Sequence, residues 1–97
     1  MFLSSSTVRT EHASRYLQQL CKHFRHKVPV EFAPEEGECR FPFGTARLRA
    51  DDRQLTVEIE APDGDRRART QDVIEVHLLR FAFRENLGPM SWRESEA

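Results

Sequence analysis

Two hydrophobic periods alternate along this chain. Ala13, Leu17, Leu20, Cys21 and Phe24 fall within about 100° of one another on a helical wheel, while Arg15, Gln18, Lys22 and Arg25 lie opposite. That stripe predicts an amphipathic helix from Thr10-Glu11 to about Lys27. Thr10 offers a capping hydroxyl, Glu11 sets negative charge at the positive end of the helix dipole, and Val28-Pro29 stops the run. Period two then takes over. Val28, Val30 and Phe32; Cys39, Phe41 and Phe43; Ala46, Leu48 and Ala50; Leu55, Val57, Ile59 and Ala61 each alternate with polar residues, which predicts four strands over 28–32, 38–43, 45–50 and 55–61. The connections carry turn chemistry: APEEG, a permissive Gly44, and the polar run Asp51-Asp52-Arg53-Gln54. A short strand over Ser5–Arg9 precedes the first helix.

Period 3.6 returns after Pro62. Pro62 to Asp65 opens a second helix, predicted from about Arg66 to Phe83, with either Asp able to cap it and Ile74, Leu78, Phe81 and Ala82 as its inward arc. The strands are apolar on one face only, so both helices must cover that face. The expected fold is a two-layer α+β domain, β-α-β-β-β-β-α, an antiparallel sheet roofed on one side by two helices. It is one domain over 5–92, with 1–4 and 93–97 as flexible ends. On the outer sheet face Arg47 and Arg49 stand one short turn before Glu58 and Glu60, placed to pair across strands.

Composition narrows the function classes. Leu, Ile, Val and Phe make up 23 of the 97 residues, enough for a folded core. Fifteen Lys and Arg against sixteen Asp and Glu give a net charge of -1, which argues against a globally basic nucleic-acid binder. The cluster DRRAR (Arg66, Arg67, Arg69) lacks interleaved aromatic rings for base stacking and is expected to be a solvated helix start. No apolar run approaches a membrane span, and MFLSSSTVRTEH has no basic n-region, so no membrane partner is expected and a cytoplasmic location is. Cys21 and Cys39, the two cysteines, are expected to stay reduced and to pack as small hydrophobes.

Candidate chemistry gathers on the helix shoulders. His12, Tyr16, Gln19, His23 and His26 follow i, i+4, i+7, i+11, i+14 spacing along one edge of the first helix; Val73, His77, Arg80 and Arg84 form a comparable edge on the second. If the helices are neighbours, His23 and His77 share a pocket with Tyr16 and Arg80, flanked by Gln19 and His26. Imidazole and guanidinium donors there suit a carboxylate or phosphate. The competing account has these groups bonding one another at a helix edge or facing water. His23 and His26 can reach one metal ion together, but no third ligand joins them, since Cys21 points well around the helix. No nucleophile elbow, phosphate loop or dinucleotide fingerprint is present. No cofactor, metal or catalytic residue is assigned, and an enzyme is the less favoured class.

RYLQQLCKHFRHK (Arg15 to Lys27), FPFGT (Phe41 to Thr45) and HLLRFAFRE (His77 to Glu85) together resemble the bacterial family designated domain of unknown function 2218, over most of Thr7 to Trp92. One departure is Gly64-Asp65-Arg66-Arg67, where stronger helix formers are expected and the helix is predicted to begin late. The resemblance carries no catalytic roles. It implies a stand-alone small protein with an accessory part in iron handling, since some relatives accompany siderophore-interacting, flavin-dependent ferric reductases.

The leading expectation is a non-enzymatic binding or accessory module, its partner a siderophore-reductase-type protein or an acidic small molecule. The alternatives are a homodimer formed through the outer strand face or an unpaired sheet edge, and an enzyme using His23 or His77 as general base.

Overall fold

The computed structural model describes residues 1–97. Its elements run β1 (Phe2–Arg9), α1 (Ala13–Phe24), β2 (Val30–Phe32), β3 (Glu36–Phe41), β4 (Gly44–Ala50), β5 (Gln54–Ala61), α2 (Gly64–Phe81) and β6 (Arg93–Glu96). The strands form one antiparallel six-stranded sheet in the order β2-β3-β4-β5-β1-β6. Both helices lie on one face, α1 over β2 to β5 and α2 over β1, β4 and β5. The two-layer α+β architecture is the one the alternation predicts, with an added sixth strand.

Period two places the core. Ala46, Leu48 and Ala50 on β4, with Leu55, Val57, Ile59 and Ala61 on β5, are buried beneath Leu17, Leu20, Phe24, Ile74 and Leu78. The two central strands therefore carry the aliphatic load, and fully burying each such side chain is worth about 1.5–3 kcal/mol. Phe43 departs from the pattern. With Pro42 it forms the turn between β3 and β4, where Phe41 pairs with Gly44, so the strand expected to reach Phe43 ends at Phe41. Gly44 is required there by proximity: a Cβ at this position would stand 2.3 Å from Thr70 Oγ1.

Helix boundaries move by a few residues for identifiable reasons. Thr10 Oγ1 accepts from the His12 amide at 3.0 Å instead of capping deeper into the helix, and α1 begins at Ala13. The amides of Lys27 and Val28 both return to the Phe24 carbonyl at 2.9 and 3.0 Å, ending α1 at Phe24, ahead of the expected Lys27. On α2, Asp63 is the cap: its Oδ1 accepts from the Arg66 amide at 2.7 Å. That bond, with Asp65 in the first turn, starts the helix at Gly64, earlier than predicted despite its weak helix formers.

The chain ends correct the expectation of flexible termini. β1 extends back to Phe2, and Arg93–Glu96 pairs with it as β6, Phe2 opposite Glu96 and Ser5 opposite Arg93. β6 is tied to α2 by Arg67, whose guanidinium donates to the Leu3 carbonyl (3.3 Å) and the Ser95 carbonyl (3.1 Å) and pairs with Glu94 at 3.3 Å. Arg67 is thus a half-buried strut, not a solvated charge, and Arg69 stacks over the Phe43 ring at 4.4 Å. Ser4 and Ser6 point inward under α2 with unbonded hydroxyls; their small size lets the helix approach β1 closely.

The sheet's other face is open and ionic. Arg47 stands directly opposite Glu58 but bonds Glu38 at 3.0 Å, and Arg49 reaches diagonally to Glu58 at 3.1 Å. Arg40 joins Glu38 (2.8 Å) and Glu31 (3.2 Å), extending the row to β2. Exposed pairs of this kind contribute about 0.2–1 kcal/mol each and chiefly fix register. Both sheet edges are protected, β2 by its three-residue length beside Pro29 and β6 by the fully exposed sequence RESE.

Candidate functional site

The end of α1 meets the C-terminal third of α2 through two imidazoles. His23, in the last turn of α1, and His77 on α2 have ring centroids 4.7 Å apart at an interplanar angle of 42°. The helical spacing that sets Phe24 inward leaves His23 beside it on the shoulder. Phe24 then packs edge-on against both imidazoles, 5.2 Å from His23 and 5.0 Å from His77. Phe81 closes the other side at 5.9 Å from His23 and 6.4 Å from His77. Beyond Phe24 the contacts continue to Phe41 at 5.0 Å, stacked Phe43 at 5.3 Å and the Arg69 guanidinium. The seam is one end of a continuous aromatic row reaching the β3–β4 turn.

Its hydrogen bonding fixes one ring. His77 Nδ1 lies 2.7 Å from the Val73 carbonyl oxygen, which can only accept, so Nδ1 carries a proton. The His23 ring has no such anchor. Its pKa is held below the ordinary imidazole value, first by desolvation where the ring lies against its neighbours, then by the positive charges of His77, Lys27, His26 and Arg80. Every charged group acting on His23 is therefore a cation, and none of these five residues makes an ion pair.

The six residues singled out in the sequence divide. His23 and His77 meet. His26, in the turn after α1, and Arg80, in the last turn of α2, are exposed around them. Gln19 is exposed and its side chain makes no hydrogen bond within the protein. Tyr16 is not in the seam, which corrects the shared pocket expected for it: it sits seven residues before His23, roughly 10 Å along the helix. It is 4 % exposed, and its hydroxyl donates to Glu85. Thr10 Oγ1 lies 2.8 and 2.9 Å from the two Glu85 carboxylate oxygens, and His12 packs edge-on to Tyr16 at 6.1 Å. Burial, followed by the bond to Glu85 and its charge, pushes the Tyr16 pKa up to about 12. Glu85 enters the sequence reading only as the last residue of HLLRFAFRE, with no role attached.

Three surface hollows lie away from the histidines. One of about 630 Å³ opens at the β2–β3 edge of the outer face, bounded by Phe32, Gly37, Glu38 and Arg47. A second of about 370 Å³ spans β5, β1 and β6, and a third of about 230 Å³ lies between β1, α2 and Leu87–Ser91. None of the three is lined by a histidine. No group of three or more His, Cys, Asp or Glu side chains gathers to hold a metal ion. No helix is long and apolar enough to cross a membrane.

Similarity to known proteins follows the fold. The NMR structure of PA4090 from Pseudomonas aeruginosa is similar at a TM-score of 0.84 and 40 % sequence identity, with all of each chain covered. No functionally curated protein matches the sequence. A family profile described as an uncharacterised protein conserved in bacteria matches residues 5–93. The chain, an antiparallel α+β domain with paired imidazoles on its helical roof, belongs to that bacterial family, DUF2218.

Proposed function

We propose that the protein is a binding module whose imidazole seam receives an anionic group. The observation carrying this reading is a set of unanswered basic groups: His77, Lys27, His26 and Arg80 all act on His23, and no carboxylate makes an ion pair with any of the five. Arg40, Arg47, Arg49, Arg66 and Arg67 have acidic partners, while other exposed arginines such as Arg15 and Arg25 have none; the seam differs in gathering its basic groups around one imidazole. An approaching carboxylate or phosphate accepts hydrogen bonds from Arg80 and protonated His23 while Phe24 and Phe81 form an apolar floor. Binding relieves cation repulsion and raises the pKa of His23, so affinity increases as pH falls toward the imidazole range.

The resemblance to proteins accompanying siderophore-interacting ferric reductases directs the choice of ligand. Carboxylate-bearing ferric siderophores, or an acidic surface of such a reductase, have the required charge. The protected sheet edges weigh against edge pairing as the principal role. Titrating the protein with citrate and with ferric citrate at pH 6, read by NMR, tests the site. Shifts centred on His23, His77 and Arg80 are expected, lost in His23→Ala and Arg80→Ala. Saturable binding unaffected by both substitutions, or no binding by either probe or by the reductase in calorimetry, overturns the reading.

A further inference from the structure

Cys21 and Cys39 come from different layers of the fold, yet their sulfurs lie 4.0 Å apart and both residues are fully buried. Alternation explains the meeting. Gly37 and Cys39 are two apart on the inward face of β3, and Cys21 occupies the helix position directly above them. Gly37 makes the room: a Cβ there would stand 2.7 Å from Cys21 Sγ and 3.3 Å from Phe32 Cβ. Any larger residue would force the Cys21 sulfur to move. The same glycine borders the 630 Å³ hollow of the outer face.

We infer that Cys21 and Cys39 form a reversible oxidation site, closing to an intramolecular disulfide that ties α1 to β3. The sulfurs need approach by only about 2 Å to reach bonding distance. A peroxide is the oxidant. The Cys21 thiolate attacks one peroxide oxygen, the O–O bond breaks, and hydroxide leaves with the thiol proton as water, giving a sulfenic acid at Cys21. Cys39 sulfur then attacks Cys21 sulfur, forming the S–S bond and releasing a second water. Two electrons pass from the two sulfurs to one peroxide. Either sulfur can donate in the S–H···S contact; with Cys39 as donor, the bond lowers the Cys21 thiol pKa, while that same contact and burial hold Cys39 above the ordinary range. Burial makes the reaction slow and confines it to small oxidants.

The site is independent of the imidazole seam and is tested on the folded full chain. After exposure to hydrogen peroxide, the protein is denatured in an alkylating agent and its intact mass measured. Loss of two hydrogen atoms, with neither cysteine alkylated and both recovered by dithiothreitol, is expected. The Cys39→Ser protein, checked for folding by circular dichroism, is expected to lose that signature. Quantitative alkylation of both cysteines after peroxide, sulfinic or sulfonic acid in place of the bridge, or a disulfide that links two chains overturns the inference.

Discussion

Tyr16 donates its hydroxyl to the carboxylate of Glu85, a residue 69 positions later in the chain. Thr10 donates to the same carboxylate, so one side chain past the end of α2 fastens the entry to α1. Glu85→Ala leaves a buried tyrosine hydroxyl without its acceptor. A loss of about 1–3 kcal/mol in urea unfolding is expected. The Tyr16 pKa, pushed up to about 12, should fall toward its ordinary value of 10.0 in the same variant. Because the neutral phenol is favoured in the folded state, native stability is retained below pH 10 and declines from there through about pH 12. Phenolate absorbance and urea midpoints across that interval check both statements.

His23 has the opposite dependence in the acid range. Its folded pKa lies below 6.5, so the unfolded chain binds more protons there and stability falls as pH drops below 6.5. Replacing His23 with Gln should flatten this part of the stability profile. Histidine C–H resonances followed by NMR should show His23 titrating below the ordinary imidazole value.

Gly44→Ala places a methyl group against Thr70 Oγ1, and Gly37→Ala places one against Cys21 Sγ. Each is expected to destabilise by about 1–3 kcal/mol, as overpacking does. Combining Gly44→Ala with Thr70→Ser leaves that hydroxyl oxygen in place and should recover little. Gly44→Ala with Thr70→Ala removes it and should recover more. Chemical denaturation of the four proteins separates the two outcomes.

Truncation after Trp92 removes β6 and with it the Ser95 carbonyl and Glu94 partners of Arg67. Arg67 Nε is already buried without a hydrogen-bond partner, so the shortened protein is left with a poorly compensated guanidinium. A lower melting temperature and faster amide exchange along Phe2–Ser5 are expected, partly restored by Arg67→Met.

The fold was legible wherever side-chain period determined burial. Leu48, Val57 and Ile59 read as inward from alternation alone, and they are. β6 was not legible because an edge strand exposed at every residue has no apolar period to detect. Ser4 and Ser6 concealed the inward face of β1, since close helix approach selected small polar residues where alternation leads one to expect aliphatic ones. At the candidate site, helical spacing located His23 and His77 on facing shoulders but gave no account of Phe41 and Phe43, which arrive from the sheet. Tyr16 shared the spacing of the histidines and not their environment, because its partner Glu85 lies in a segment without periodicity.

The position of β1 has a consequence for how the chain is made. Its first strand partner, β5, begins at Gln54, and its other neighbour begins only at Arg93. During synthesis β2 to β5 can zip together as successive hairpins while β1 waits unpaired. Residues 93–96 must therefore emerge from the ribosome before the first strand gains its second neighbour, and that long-range closure is expected to slow folding more than hairpin formation does.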